Sequence, residues 1–318
     1  MCFYSPKKIM EKDAGKVKEH DIMVVSTKLL KMQLALFKSF VDGCNIETMR
    51  FAQNKIGKLM AKANKDKVCY KKKIFPKFAG EWIMPKIKKL DGVILYLHGG
   101  GYVAGDLEYS KGLGTALSAK NGIRVFCPAY RLAPENPFPA ALEDALCSYK
   151  YLIKLGYTKK IVLCGESAGG GLIYSLCLKL KDLKMPLPKG IIGISPWADL
   201  TSSGKSYEEN KKNDPSMTKE RLKFYASMYS KDLKNPYVSP VFGDLSSLPK
   251  SLNFVGESEV MLDDAKMLHK KLLEYGCKSE LVVKHSMWHV YILYGVKESK
   301  DDYSKISRFL MEVLNEKQ

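Results

Sequence analysis

The chain has 318 residues, of which 46% are hydrophobic and 27% are charged, and its formal net charge is +18 at pH 7. This apolar fraction can fill a core, which excludes intrinsic disorder as the main state, and the length allows two domains or one α/β domain with an appended lobe. No run of about 18 apolar residues is present, and residues 1–8 do not lead into the apolar core of a secretory signal. We therefore expect a soluble, cytoplasmic protein without an ordinary transmembrane helix.

The positive charge comes mainly from lysine, which makes nucleic acid an unfavoured partner. Bidentate recognition of phosphates and bases favours arginine, and the lysine-rich residues 55–89 have no interleaved aromatic platform on which bases could stack. We interpret the charge as a solvated surface, with weak association with anionic membranes as the remaining option. The arginines are Arg50, Arg124, Arg131, Arg221 and Arg308.

The eight cysteines do not indicate metal binding or disulfides. They form no Cys-x-x-Cys pair, and histidines at zinc-finger spacing are absent. We interpret four of them as core-filling thiols in a reducing compartment. These four are Cys127, Cys147, Cys164 and Cys177.

The first 65 residues are predicted to form helices. Asp42 and Gly43 interrupt the apolar pattern between two such helices. We expect the two apolar stripes to be packing faces of a helical lobe that docks on the rest of the chain. The stripes are Ile22, Val25, Leu29, Met32, Leu36 and Phe40 in the first helix, and Phe51, Ile56, Leu59 and Met60 in the second.

From about Val68 onward, short apolar runs alternate with helical patterns. This alternation predicts a mainly parallel sheet with helices on both faces. Residues 201–234 interrupt it with a polar, lysine-rich insertion that contains a predicted helix over residues 218–229, as expected of a lid or specificity element. The strands are predicted at residues 93–97, 123–126, 161–164, 191–194, 252–255 and 280–283, and the other helices at residues 139–155, 172–180 and 261–275.

Residues 165–169, GESAG, lie between a predicted strand and a predicted helix. In that setting the Gly-x-Ser-x-Gly pattern is typical of a nucleophile elbow, a sharp turn that raises the serine hydroxyl above the sheet. Gly165 and Gly169 fit this turn because a side chain there would collide with neighbouring backbone. Ser167 is therefore the predicted nucleophile, and the amide of Ala168 is a predicted donor to a developing oxyanion.

Residues 98–102, HGGGY, end another predicted strand. Consecutive glycines let backbone N–H groups approach a substrate oxygen closely, as acyl transfer requires when the carbonyl becomes an oxyanion. The pairing of this loop with a serine elbow indicates a serine hydrolase.

These segments, together with four others, resemble the hormone-sensitive-lipase-like carboxylesterases, a group related to arylacetamide deacetylases. The resemblance covers about residues 90–300. It implies an α/β-hydrolase fold whose catalytic domain spans residues 66–318, with a helical cap built from residues 1–65 and the insertion at about 201–234. It also implies Gly100 and Gly101 as further oxyanion donors, with His98 and Gly99 shaping their loop. The other segments are YRLAPE at 130–135, FPAALED at 138–144, SPWADL at 195–200 and WH at 288–289.

A serine hydroxyl needs a neighbouring imidazole to accept its proton. His289 lies in the loop after the last predicted strand and is the predicted general base and acid, with His285 as the alternative. His20 and His269 lie in polar, lysine-containing stretches and are interpreted as solvated.

The third member of the triad is a carboxylate located between the nucleophile and the histidine in chain order. Glu259 lies 30 residues before His289, close to the interval usual in the resembled family. That family more often has aspartate at this position, but glutamate can also accept the imidazole N–H. Glu259 is therefore the predicted acid and Asp263 the alternative, although Asp263 and Asp264 are better placed to begin the following helix.

The hypothesis is a serine hydrolase that cleaves carboxylic esters, with short- to medium-chain acyl or aryl groups, through an acyl-enzyme. No cofactor or metal is expected, Glu166 is assigned a supporting role at the elbow, and Tyr102, Trp197 and Trp288 are predicted to border the substrate site. One alternative is a non-catalytic sensor of a small ligand, because gibberellin receptors resemble the same family but lack the catalytic histidine. The presence of His289 favours the enzyme. A basic membrane- or nucleic-acid-binding protein would leave the serine, histidine and glycines unexplained.

Overall fold

The computed structural model describes residues 26–41 and 45–315. The predictions that concern His20, Ile22, Val25, the Phe40 side chain and the break at Asp42 and Gly43 lie outside what the structure describes.

An eight-stranded sheet forms the centre of the structure, with strand order β1-β2-β4-β3-β5-β6-β7-β8. Strand β2 runs antiparallel to both of its neighbours, and the other pairs are parallel. The predicted, mainly parallel sheet is therefore confirmed, as are the six predicted strands. The strands are Val68–Ile74 (β1), Ala79–Pro85 (β2), Val93–Leu97 (β3), Arg124–Ala129 (β4), Ile161–Glu166 (β5), Gly190–Ile194 (β6), Ser251–Gly256 (β7) and Ser279–Lys284 (β8).

Helices cover both faces of this sheet, and the helices predicted at residues 139–155, 172–180 and 261–275 are confirmed. The apolar periodicities identify neither α3, which is rich in small residues, nor α9. The α-helices of the described residues are Thr27–Val41 (α1), Ile46–Lys62 (α2), Leu107–Asn121 (α3), Ala140–Leu152 (α4), Ala168–Asp182 (α5), Ser206–Glu209 (α6), Lys219–Tyr229 (α7), Leu262–Glu274 (α8) and Lys300–Asn315 (α9).

Strand β1 differs from the buried runs because it is an edge strand. Lys71, Lys72 and Lys73 occupy its centre, and most of its residues are exposed. Lysines on an edge strand prevent pairing with other chains, and this polar pattern hides the strand from a search for apolar runs.

Helices α1 and α2 are present, but the apolar stripes predicted to be their packing faces are largely exposed. Leu29, Met32 and Leu36 of α1 face solvent, as do Phe51 and Leu59 of α2. The expectation is wrong for these five residues, whereas Ile56 and Met60 of the second stripe are half-buried. The difference arises because α2 packs closely on α3 through small residues. A Cβ at Gly57 would lie 2.3 Å from the Cα of Tyr109, so the helices meet where a side chain would not fit.

The insertion at residues 201–234 contacts the first helix. Its predicted helix is confirmed as α7, whose first turn is capped by the Thr218 hydroxyl oxygen, which accepts from the Arg221 amide at 3.1 Å. The Arg221 guanidinium donates to the Lys38 carbonyl at 2.9 Å, and the Lys38 ammonium donates to the Asp214 carbonyl at 2.7 Å. These contacts bring α1 and the insertion together on one side of the molecule.

The cysteines at the centre of the fold are buried and reduced, namely Cys127, Cys164 and Cys177, whereas Cys147 is exposed on α4 and is not a core residue. Across residues 26–41 and 45–315, none of the helices has the length and apolar character to cross a membrane.

Candidate active site

Ser167 occupies a sharp turn between β5 and α5. Its backbone has φ 54° and ψ −123°, a conformation that side chains rarely adopt and that occurs mainly where function requires it. The turn is crowded, since a Cβ at Gly169 would lie 2.0 Å from the Leu97 carbonyl oxygen and one at Gly165 would lie 2.3 Å from the Gly169 carbonyl oxygen. The two glycines thus permit the turn that exposes the Ser167 hydroxyl to the cavity.

Three predicted site residues come together in a buried hydrogen-bonded row. The Ser167 Oγ lies 2.9 Å from His289 Nε2, and His289 Nδ1 lies 2.8 Å from Glu259 Oε2. All three side chains are buried. This geometry allows the imidazole to take the serine proton while the carboxylate fixes the ring and stabilises its charged form.

The Glu259 carboxylate is held from a second direction by a serine that sequence reasoning did not assign. Its Oε1 accepts from the Ser195 hydroxyl at 2.8 Å and from the Gly256 amide. The Ser195 oxygen in turn accepts from the Val290 amide at 3.0 Å. Ser195 therefore links the acid to the residue that follows His289, and the only signal for it in the sequence is its place at the start of the SPWADL segment.

The two alternative residues lie in other surroundings. Asp263 lies in the first turn of α8, where its carboxylate accepts from the Ser206 amide at 2.9 Å. The His285 side chain is 87% exposed, and its Nδ1 lies 2.6 Å from Glu257. Neither residue lines the cavity that contains Ser167 and His289.

The glycine loop borders the cavity beside Ser167. Gly100 and Gly101 have φ values of 114° and 63°, which favour glycine, and both line the cavity. Within the described chain, the amides of Gly100, Gly101 and Ala168 donate no hydrogen bond to other protein groups. These N–H groups are available to a substrate oxygen.

Glu166 connects the elbow to the glycine loop. Its Oε1 accepts from the Gly99 amide at 2.5 Å, and the carboxyl also interacts with the hydroxyls of Tyr96 and Tyr109. Burial raises the pKa of the Glu166 carboxyl to about 7, because the charged form is poorly solvated there. This carboxyl therefore titrates near neutral pH at the base of the site.

His98 lies below the same loop and does not reach Ser167. Its ring stacks on Tyr130 with 4.2 Å between ring centroids, and its Nδ1 lies 2.8 Å from the Gly99 carbonyl oxygen. Burial lowers the pKa of His98 to about 4, so its imidazole is neutral at physiological pH. A neutral donor to a backbone carbonyl is consistent with a residue that shapes the loop.

The cavity in front of Ser167 has a volume of about 160 Å³. Its walls come from the sheet loops, from α1 and α2, and from α7 of the insertion. The side chains are mostly apolar, and three methionines give the wall an adaptable surface. The principal apolar lining residues are Met49, Ile56, Met60, Met217, Tyr225 and Leu293.

The three aromatic residues predicted to border the substrate site do not line this cavity. Tyr102 is buried and stacks on Tyr229 with 3.7 Å between ring centroids, and its ring lies 6.1 Å from that of Trp197. Trp288 is also fully buried, 6.2 Å from the Tyr294 ring. These large rings fill the core beneath the site, and the prediction of substrate contact is wrong for all three. Tyr109, Tyr225 and Tyr294 are the tyrosines that line the cavity.

The ionisable side chains of the site do not form a metal centre. No group of three or more histidine, cysteine, aspartate or glutamate side chains is arranged to hold a metal ion in the part of the chain that the structure describes.

Comparison with known proteins finds relatives that are named as hydrolases and esterases. The family model of the alpha/beta hydrolase fold matches residues 94–293. An acetyl-hydrolase of Streptomyces hygroscopicus is 38% identical over 218 residues, which cover 67% of this chain and 72% of that protein. An esterase of Acinetobacter venetianus is 32% identical over 223 residues, which cover 68% of this chain and 74% of that protein.

The solved structures agree with these relatives. An esterase from the bacterial hormone-sensitive lipase family is similar with a TM-score of 0.84 and 32% sequence identity, covering 92% of this chain and all of that chain. The esterase EstE5, in a crystal soaked with p-nitrophenyl butyrate, is similar with a TM-score of 0.81 and 31% identity over 90% of this chain and 98% of that chain.

The fold and the cavity with its serine elbow define an α/β hydrolase. The chain belongs to the alpha/beta hydrolase fold family, and within it to the hormone-sensitive-lipase-like carboxylesterases, as its motifs predict. It is a carboxylesterase by class, and the alternative of a non-catalytic sensor is not favoured.

Proposed function

We propose that this carboxylesterase uses Ser167 as nucleophile, His289 as general base and acid, and Glu259 as the orienting carboxylate. Ser167 Oγ attacks the ester carbonyl carbon while its proton passes to His289 Nε2. The tetrahedral intermediate collapses when His289 protonates the leaving alkoxide, which leaves an acyl-enzyme. Water, deprotonated by the same imidazole, then attacks the acyl carbon. The bond to Ser167 Oγ breaks, His289 returns the proton to Oγ, and the carboxylic acid leaves.

The amides of Gly100, Gly101 and Ala168 are proposed to stabilise the charge that develops on the carbonyl oxygen. They are unused by other protein groups of the described chain and lie beside the nucleophile. Each such donor typically contributes about 10²–10³-fold to kcat.

The observation that carries the proposal is the row from Ser167 through His289 to Glu259, with hydrogen-bond distances of 2.9 and 2.8 Å. A general base must lie within hydrogen-bond reach of the proton that it removes, and this imidazole does. Its second nitrogen faces a carboxylate, which fixes the tautomer needed for proton transfer.

The proposed substrates are small esters with short- to medium-chain acyl or aryl groups. A cavity of about 160 Å³ accommodates a group of roughly the size of a benzene ring, and its apolar lining suits an acyl chain or an aryl group. The names of the relatives agree with this range, since one is an acetyl-hydrolase and another an arylesterase of Saccharolobus solfataricus.

The test combines active-site labelling with hydrolysis of p-nitrophenyl esters. We expect a fluorophosphonate probe to label the peptide that contains Ser167, and the Ser167→Ala variant to resist labelling and lose at least about 10³-fold in kcat. The conservative Ser202→Ala variant, at another buried serine, should keep both properties. Labelling of a different peptide, or equal hydrolysis by the wild type and Ser167→Ala, would contradict the proposal.

The cap is proposed to comprise residues 1–65 and the insertion at about 201–234, with residues 66–318 as the catalytic domain. The contacts of Lys38 with Asp214 and of Arg221 with Lys38 support this grouping. A cytoplasmic location is likewise a proposal, supported by the free cysteines of the described chain. Weak association with anionic membranes remains a prediction from the net charge.

A further inference from the structure

We infer that the solvent face of helices α1 and α2 is a docking surface for an anionic lipid bilayer. We call this the cap face and define it by five apolar residues and the lysines beside them. The five side chains are 45–69% exposed. They are Leu29, Met32 and Leu36 of α1, and Phe51 and Leu59 of α2.

The apolar residues of α1 form a row along one side of the helix. Leu29, Met32 and Leu36 are spaced by three and four residues, so their side chains project in nearly the same direction. Leu34 projects elsewhere, is buried and lines the cavity that contains Ser167. The helix therefore has two apolar sides, one facing the cavity and one facing solvent.

The charge around this row is positive. Helix α1 contains Lys28, Lys31 and Lys38 and no acidic residue. A groove of about 770 Å³ runs between α1 and residues 212–215, and its walls combine Leu29 and Met32 with four lysines and one acidic residue, Asp214. Lysines beside an exposed apolar row are the combination found on helices that lie in the interface of a membrane.

Helix α2 repeats the combination. Its exposed Phe51 ring carries the Lys55 ammonium at 4.4 Å from the ring centroid, and its exposed Leu59 follows Lys58 directly in sequence. Lysine stems can lie along apolar groups while their charged ends reach the lipid headgroups. Both cap helices thus present the same chemistry to solvent.

An anionic bilayer is the occupant that these properties favour. Rows of exposed apolar groups usually mark an interaction surface. A second copy of this chain would bring the same lysines to the interface, and its net charge of +18 would oppose the approach. A bilayer with anionic headgroups suits both the exposed apolar side chains and the lysines. It accepts the apolar side chains and attracts the lysines.

The cap face lies behind the wall of the catalytic cavity. Met49, Ile56 and Met60 of α2 line that cavity, while Phe51 and Leu59 of the same helix are exposed. Docking there would hold the cavity close to esters dissolved in the bilayer surface. Binding itself does not depend on catalysis, so it can be tested with the proposed nucleophile removed.

The experiment is cosedimentation of the full chain with vesicles of phosphatidylcholine alone or with about 30% phosphatidylserine, at about 0.1 and 0.5 M salt. The test variant is Met32→Glu with Leu36→Glu. The matched control is Leu273→Glu with Met311→Glu, which makes the same change of charge at exposed apolar residues of α8 and α9. Hydrolysis of a soluble p-nitrophenyl ester checks that each variant is folded.

We expect wild type and Ser167→Ala to bind the anionic vesicles at least about tenfold more strongly than neutral ones, with weaker binding at high salt. The test variant should lose about tenfold in binding and keep its hydrolysis, while the control variant keeps both. No binding to anionic vesicles, or an equal loss in the two variants, would overturn the inference. Dimers in solution that the test variant dissociates would also overturn it, because the cap face would then bind a second copy.

Discussion

Ser195 offers the sharpest test of how the site is held together. Its hydroxyl donates to Glu259 Oε1 at 2.8 Å and accepts from the Val290 amide at 3.0 Å. Ser195 is absent from the cavity lining, and its side chain is buried. The Ser195→Ala substitution therefore removes one link between the acid and the histidine loop without altering the cavity wall.

The magnitude follows from the two contacts. A hydrogen bond to a charged group contributes about 1.5–3 kcal/mol, and the buried Val290 amide would lose its acceptor as well. If this energy serves mainly to hold Glu259 and His289 in line, kcat falls by about 10- to 100-fold. The effect of Glu259→Gln should be larger, about 10³–10⁴-fold, since that change alters the group that faces the imidazole directly.

The assay is the measurement of kcat and KM for p-nitrophenyl acetate, with thermal unfolding of each variant in parallel. We expect KM to change less than twofold, because Ser195 does not border the cavity. The loss should therefore appear in kcat, because Glu259 and His289 are held less firmly in line. A merely structural role for Ser195 would lower the stability without this split between kcat and KM.

The matched control is Ser202→Ala. Ser202 is a second buried serine with positive φ, and its hydroxyl contacts neither Glu259 nor the histidine loop. If Ser195→Ala stays within twofold of wild type in kcat, or if Ser202→Ala loses as much, the linking role of Ser195 is refuted. A loss confined to KM would refute it too.

Three further substitutions test other parts of the site. Burial raises the pKa of Glu166 from 4.5 to about 7, so the folded state binds a proton that the unfolded state releases, and the free energy of unfolding falls by about 3 kcal/mol as pH rises between these values. The Glu166→Gln variant should abolish this pH dependence when urea unfolding is measured at pH 5 and pH 8. An unchanged pH dependence would contradict the raised pKa. The Gly100→Ala substitution places a Cβ 2.2 Å from the Ala104 carbonyl oxygen. We expect kcat to fall about 10²–10³-fold, and thermal unfolding is measured in parallel to check the fold. A kcat within twofold of the wild type would contradict the role of this loop. The Gly57→Val variant should push α2 away from α3 and raise KM more than it lowers kcat. The Leu59→Val variant, on the exposed side of α2, should leave KM and kcat unchanged. Equal KM values in the two variants would exclude α2 as a wall of the site.

The centre of the fold could be predicted because its strands are short apolar runs that end at glycine or polar segments. The run that precedes Ser167 is buried along its whole length, which is typical of a strand covered on both faces. Its position before a Gly-x-Ser-x-Gly pattern also fixes where the hydroxyl emerges. Elements with other patterns could not be predicted from apolar runs. Strand β1 is an example, because lysines occupy its centre.

The cap and the cavity wall could be predicted less well, because packing there follows shape and not hydrophobicity. The contact of α2 with α3 depends on the absence of a side chain at Gly57, while the apolar Phe51 and Leu59 are exposed. For the same reason Trp197 and Trp288 are core residues, although large aromatic residues near a catalytic motif suggest substrate contact. Ser195 was missed as a site residue because the partners of its hydroxyl come from two loops distant in sequence.

The register of the sheet explains why such distant residues form one site. Glu166 of β5 pairs with Ile194 of β6, so Ser167 and Ser195, the next residue of each chain segment, leave the sheet side by side. Each continues the ladder by one hydrogen bond, from the Ser167 amide to the Ile194 carbonyl at 2.9 Å and from the Ser195 amide to the Phe254 carbonyl at 2.7 Å.

The backbone of both serines then adopts a positive φ, 54° for Ser167 and 49° for Ser195. Val290 also has a positive φ, of 53°. Such conformations cost about 1–3 kcal/mol each and persist only where the surroundings hold them. At Ser195 and Val290 the surroundings include the hydrogen bonds from the Ser195 hydroxyl to Glu259 and from the Val290 amide to Ser195. The same bonds therefore hold two strained residues and the acid of the catalytic row, so their loss should disturb both.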